Sequence, residues 1–254
     1  MGFTMEAACW CHQGIIRGKN EDNFYFDGDY LNVHNHGMKS PLYMKKALHR
    51  NIYMAVFDGM GGENYGEIAA YYAALQMQQT QSLFLKFFPM VPYHLNKLIV
   101  KINDIVNCKK KELLTGQMGS TMVGFCFSPR HVHICNIGDS RAYCFRKGEL
   151  IQLSKDHVIN SFKREQKKAP LIQYLGIDSS EMQIEPYIAR KELKCGDQYL
   201  LCSDGLTDML TDIEIAHIMS NSENIKYCIE NLLQEALDRG GYDNISIILC
   251  KITK

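Results

Sequence analysis

Carboxylates stand where the apolar runs of this chain stop. Arg17-Gly18-Lys19-Asn20-Glu21-Asp22, Phe57-Asp58-Gly59-Met60-Gly61-Gly62, Ile137-Gly138-Asp139-Ser140-Arg141, Cys202-Ser203-Asp204-Gly205 and Gly240-Gly241-Tyr242-Asp243-Asn244 all set an acid beside Gly or Asn at such a point. A carboxylate at the end of a buried strand is costly unless it is protonated, paired or bound to a cation. Several of them converging would repel one another. Oxygen donors without His or Cys suit the hard cations Mg²⁺ and Mn²⁺. The neighbouring glycines let the backbone turn sharply and let a carbonyl join the coordination shell. Any one Asp-Gly after a strand is usually only a turn, and Asp243-Asn244 could merely cap the last strand. Their recurrence in one chain points to a shared cation pocket.

The runs themselves define the fold class. Ile52–Phe57, Ser120–Phe127, His131–Ile137, Ala142–Phe145, Gln198–Cys202 and Ile245–Cys250 are short and apolar, and read as strands, several buried on both faces. Arg146-Lys147-Gly148-Glu149 suggests a hairpin turn. Helices are expected over Glu63–Thr80, Pro92–Leu114 and Asn224–Arg239. In the last, Ile225, Cys228, Ile229, Leu232, Leu233 and Ala236 keep a helical rhythm until Gly240-Gly241 stops it. Thr211-Asp212-Ile213-Glu214 is a capping-box pattern. Strands in hairpin-linked groups with helices in pairs do not suit alternating βαβ units; they suit antiparallel sheets covered by helices.

Composition narrows function by exclusion. Formal net charge is +0, so neither nucleic acid nor anionic lipid is an expected partner. The ten cysteines are scattered and contain no C-x-x-C pair, which fits buried free thiols in a reducing cytosol better than a disulfide framework. No apolar run approaches a membrane span, and Met1–Trp10 carries Glu6 and lacks a signal-peptide layout. The expectation is one domain over residues 1–254, cytoplasmic and monomeric.

In their order along the chain, the acidic segments and their neighbours resemble the protein phosphatase 2C (PP2C) family of metal-dependent protein serine/threonine phosphatases, in its compact bacterial form. The matching stretches are Arg17–Asp22, Val56–Gly62, Gly119-Ser120-Thr121, Asn136–Tyr143, Leu153–His157, Leu175-Gly176, Leu200–Asp208 and Gly240–Ser246. The resemblance implies an α+β fold: a four-layer αββα sandwich of two antiparallel β-sheets flanked by paired helices, with metals at one end of the sheets. It implies Mn²⁺ or Mg²⁺, two ions in the core site and a third, weaker one. Asp58 would bridge the two core ions and Gly59 would lend its carbonyl. Asp204 and Asp243 would complete the first ion's shell; Glu21 and Asp22 would hold the second, mostly through water. Asp139 would join Asp204 at the third. Arg17 matches the phosphate-binding arginine, whose planar guanidinium suits two phosphate oxygens. Asn244 is expected to orient Asp243. The implied reaction is one-step hydrolysis by a metal-activated bridging water, without a phosphoenzyme.

The chain departs from the family pattern in places. Met60 stands where eukaryotic members carry His after Asp-Gly. For His157 a structural hydrogen bond is expected rather than the role of general acid. The flap, Val158–Gln173, is short and carries Lys163, Arg164, Lys167 and Lys168; these read as a solvated helix face, or as an attraction for an acidic or phosphorylated peptide. An insertion near residues 27–50 holds His34 and His36, expected on an exposed loop, and Lys109-Lys110-Lys111 is expected to be a solvated helix end. The implied partners are phosphorylated proteins, substrates of a Ser/Thr kinase. The alternative is a catalytically silent phosphatase-like binding module, which the retained Asp58, Asp204 and Asp243 argue against.

Overall fold

The structure is a computed structural model and describes residues 2–61, 65–84, 90–159 and 169–254. The basic run at 163–168 and Gly62 of the second acidic motif lie outside the described residues. Among the described residues twelve strands and five helices follow one another. One antiparallel sheet is built from β1 (Thr4–His12), β3 (Leu42–Ala47), β8 (Arg141–Arg146), β9 (Glu149–Gln152), β11 (Gln198–Cys202) and β12 (Ile245–Thr253), in the order β3-β1-β12-β11-β8-β9. The other runs β10-β7-β6-β4-β2, from β2 (Asp22–Phe26), β4 (Ile52–Met60), β6 (Met122–Phe127), β7 (His131–Ile137) and β10 (Tyr187–Glu192), with β5 (Gly119–Ser120) paired to the end of β4.

The continuous apolar runs are explained by what lies on each face. In β4, Ile52, Met54 and Val56 enter the core between the sheets, beside Phe24, Phe125, Tyr199, Leu201 and Ile248. The alternate residues Tyr53, Ala55 and Phe57 face α1 (Gly66–Phe84) and α2 (Val91–Glu112), meeting Ala69, Ala73, Leu95 and Ile102. A strand covered on both faces has no use for polar alternation. The other sheet does the same: Leu200, Cys202, Ile247 and Leu249 pack under the one-turn α3 (Asp204–Thr207), α4 (Asp212–Asn221) and α5 (Ile225–Asp238). The layers are therefore helix, sheet, sheet, helix, as the resemblance implied.

Local signals hold where they have a mechanism. Thr211 and Glu214 form the reciprocal capping box at α4, Asn224 caps α5 through the Lys226 and Tyr227 amides, and Gly240 takes a φ of 120° to end it. All ten cysteines are free, and eight of them are buried. Residues 27–50 are not all loop, because Leu42–Ala47 forms β3 on the edge of the first sheet. Lys109, Lys110 and Lys111 do more than meet solvent. Lys110 donates to the Gly176 carbonyl at 2.5 Å and Lys111 pairs with Asp178 at 2.6 Å. Together they tie the end of α2 to the Leu175-Gly176 segment. No helix among the described residues is long and apolar enough to cross a membrane.

Candidate metal centre

The sheet registers carry the acids to one end of the sandwich. Asp22 and Asp58 are cross-strand partners in β2 and β4. Arg141 pairs with Cys202 across β8 and β11; Asp139 stands two residues before the one, in the turn from β7, and Asp204 two residues after the other, at the start of α3. His12 pairs with Ile245 across β1 and β12; two residues further on, Gly14 lies against the backbone of Asp243, so closely that a Cβ would strike its carbonyl. Gly205 packs on the Asn244 carbonyl with the same consequence. A side chain at either glycine would push two acidic turns apart.

A polar scaffold fixes these turns. The Asp58 amide donates to Thr121 Oγ1 at 3.2 Å, the Thr121 amide returns a bond to the Asp58 carbonyl at 2.8 Å, and Thr121 Oγ1 lies 2.6 Å from Ser140 Oγ. The Asp58 and Asp139 turns are thereby joined. Ser203 Oγ donates to Asp22 Oδ2 at 2.8 Å and accepts from the Ser246 amide at 2.9 Å. His157 is buried; its Nδ1 accepts from the Gly138 amide at 3.1 Å, and its own amide donates to the Gly138 carbonyl at 2.9 Å. Burial, and then Lys155, lower its pKa. It braces the turn ahead of Asp139, the structural part expected for it.

Asn244 orients Asp243 as expected, but through its backbone: its amide donates to Asp243 Oδ1 at 2.9 Å. The carboxamide instead reaches the loop after β1, donating to the carbonyls of Gln13 (2.7 Å) and Lys19 (2.9 Å) and accepting from the Glu21 amide (2.7 Å). One side chain uses its donor and acceptor ends to pin the segment bearing Arg17 and Glu21 to the turn bearing Asp243. Below it, Asn20 donates to Asn35 Oδ1 at 2.6 Å and to the buried Cys11 thiol at 3.2 Å. His34 and His36 are exposed, and His36 Nδ1 lies 3.0 Å from Gln13 Oε1.

The electrostatics are those of crowded like charges. Asp22, 2% exposed, has its pKa pushed up to about 7, first by burial, with Asp243 and Asp204 adding repulsion that the bond from Ser203 only partly offsets. Glu21 is raised by burial and then by Glu67 in the first turn of α1. Arg17 Nη2 donates to Asp243 Oδ2 at 2.8 Å, and this bond chiefly raises its own pKa; Glu21 and Asp58 also bear on it. Asp204 is buried, and Asp58, Asp139 and Asp243 are partly buried. Among the described residues no three His, Cys, Asp or Glu side chains close into a finished cage. The donors are oxygen alone, the charge is net negative, and the glycines leave carbonyls within reach, so the residues fit a hard divalent cation. The sequence reading missed Ser203, Thr121 and Glu67, whose residue types carry no signal until the registers are known.

This αββα sandwich with acids gathered at one end defines a class of cation-binding sandwich proteins. The profile of the family described as "Protein phosphatase 2C" matches residues 42–238, and the chain belongs to that family. It is similar to the Listeria monocytogenes "Serine/threonine phosphatase stp", 27% identical over 96% of this chain and 95% of the relative. It is 26% identical to the Mycobacterium tuberculosis "Serine/threonine protein phosphatase PstP" over 98% of this chain and 45% of that protein. Among solved structures it resembles the PstP catalytic domain in complex with two manganese ions, at a TM-score of 0.78 and 26% identity, covering 99% of this chain and 100% of that one. It also resembles Stp1 of Staphylococcus aureus, at 0.80 and 25%, covering 98% and 95%.

Proposed function

We propose that this chain removes phosphate from phosphoserine and phosphothreonine in proteins, using two Mn²⁺ or Mg²⁺ ions. The observation that carries this is the acidic cluster of buried Asp22 and Asp204 with partly buried Asp58 and Asp243, and Arg17 at its exposed rim. Asp58, Asp204 and Asp243 would hold one ion; Glu21, Asp22 and Asp58 the other; Gly59 would lend its carbonyl, and Asp139 with Asp204 would hold a third and weaker ion. Bound divalent cations supply a hydroxide nucleophile at neutral pH and offset charge on the phosphoryl oxygens.

The chain's own residues do the rest. Arg17, half exposed and tethered at Asp243, has the planar donors to clamp two phosphoryl oxygens and orient the ester. Asn244 and Ser203 hold Arg17, Glu21 and Asp22 in place, so little reorganisation is needed when charge develops. No His follows Asp58-Gly59, so the proton for the leaving serine or threonine oxygen must come from water or from a group other than an imidazole at that position. The relatives named as serine/threonine phosphatases support the substrate class. We further assign the chain to the cytoplasm as a monomer acting on the products of a Ser/Thr kinase. The silent binding module is disfavoured because none of the acids is replaced. A phosphothreonine peptide assay with Mn²⁺, repeated after EDTA, tests the reading. Release of phosphate that stops with EDTA and returns with Mn²⁺ is expected; hydrolysis indifferent to EDTA would overturn it.

A further inference from the structure

Glu67 is an acid that the mechanism above does not use. It sits in the first turn of α1 and is only 8% exposed. Lys19 Nζ lies 3.6 Å from its Oε1, but Oε2 is buried and has no hydrogen-bond partner among the described residues. The preceding residue explains its position. Gly66 packs so tightly that a Cβ there would come within 2.9 Å of the Glu21 carboxyl carbon and Oε1, and its carbonyl crowds Gly59. The start of α1 is therefore wedged against two of the groups assigned to the cations. Among charged groups, Glu67 bears most strongly on Glu21.

A helix N-terminus favours an acid in its first turn, and Lys19 gives that acid a counter-charge. Neither satisfies Oε2. Buried polar oxygens are bonded as a rule, and one left over beside an acidic cluster marks a donor that the described residues do not supply.

We propose that Glu67 is a positioning residue for the cation held at Glu21: its Oε2 accepts a hydrogen bond from a water in that ion's hydration shell. The inference rests on the two-ion reading of the acidic cluster. Mg²⁺ and its substitutes keep several waters when bound by few carboxylates, and those waters donate outward. Oxygens that receive them tune affinity nearly as strongly as the direct ligands do. Lys19 then acts in opposition, because its ammonium competes for the same carboxylate.

The test is calorimetric titration of the full chain with Mn²⁺ alone, without substrate, comparing wild type, Glu67→Gln, Lys19→Met and Asp58→Asn. Glu67→Gln keeps size and should fold, which circular dichroism checks. It should weaken the weaker of two Mn²⁺ events about tenfold or more, leaving the tighter event in place, while Lys19→Met should leave the weaker event unchanged or tightened. Unaltered Mn²⁺ binding by Glu67→Gln would overturn the proposal. So would an equal loss in Lys19→Met, since Glu67 would then act only by tethering the Lys19 loop. Full two-ion binding by Asp58→Asn would instead overturn the parent reading; a defective Asp58→Asn beside a normal Glu67→Gln would remove the role of Glu67 alone.

Discussion

Asp22 and Asp197 are equally buried, at 2% exposure each, yet the protein treats them in opposite ways. Asp197 lies at the far end of the first sheet, just before β11. Arg146 meets it with Nε and Nη2 at 2.7 and 2.6 Å, and the Lys194 amide and Tyr199 hydroxyl complete its shell at 2.9 and 3.1 Å. Its counter-charge is built in. Asp22 receives one serine hydroxyl, from Ser203, and then faces Asp204 and Asp243, which oppose its ionisation. A buried acid that a protein wants for structure is given an arginine; one surrounded by further acids is kept for a cation from outside.

The largest effect that should separate the two is on catalysis. Asp58→Asn, beside Asp22 in the register, should lower Mn²⁺-dependent phosphopeptide hydrolysis about a thousandfold or more, while Asp197→Asn leaves kcat per folded molecule intact. Comparable activity losses would erase the distinction. Stability should show the reverse. Asp197→Asn or Arg146→Met should cost about 3–5 kcal/mol by urea denaturation, because each strands a buried charge or its donors; a loss below 1 kcal/mol would show that the pair is not the anchor it looks to be.

The sign of the Asp22 shift gives a finer test. Its folded pKa is raised from 3.8 to about 7, so in EDTA its contribution to stability is fully present below the unfolded value and is lost as pH rises through about 7. Asp22→Asn should remove that decline, worth on the order of a few kcal/mol between pH 4 and 8. Parallel pH–stability curves for the two proteins in EDTA would contradict it. The smallest effect is expected at the rim. Arg17→Lys keeps the charge and loses the fork, and should raise KM several-fold with little change in kcat; a change confined to kcat would move Arg17 from binding to chemistry.

What the sequence shows and hides follows from the same physics. Strands covered on both faces, such as β4, β6 and β12, announce themselves as apolar runs. The edge strands β3 (Leu-Tyr-Met-Lys-Lys-Ala) and β10 (Tyr-Ile-Ala-Arg-Lys-Glu) do not, because their outer residues meet solvent and carry charge. β1 reads as neither strand nor helix, since Glu6, Cys9 and Trp10 break any simple alternation. The acids were legible because Asp-Gly at strand ends repeats. The residues that hold them were not. Ser203 and Thr121 act across pairings between distant parts of the chain, and no spacing in one dimension encodes which turn meets which.

The central claim is that acids from separate turns share cations. Anomalous diffraction from Mn²⁺-soaked crystals tests it most directly. Two manganese peaks are predicted between the turns of Asp58, Asp204 and Asp243, with the Asp58 carboxylate touching both. Peaks elsewhere on the molecule, or an Asp58 carboxylate turned away from any ion, would contradict it.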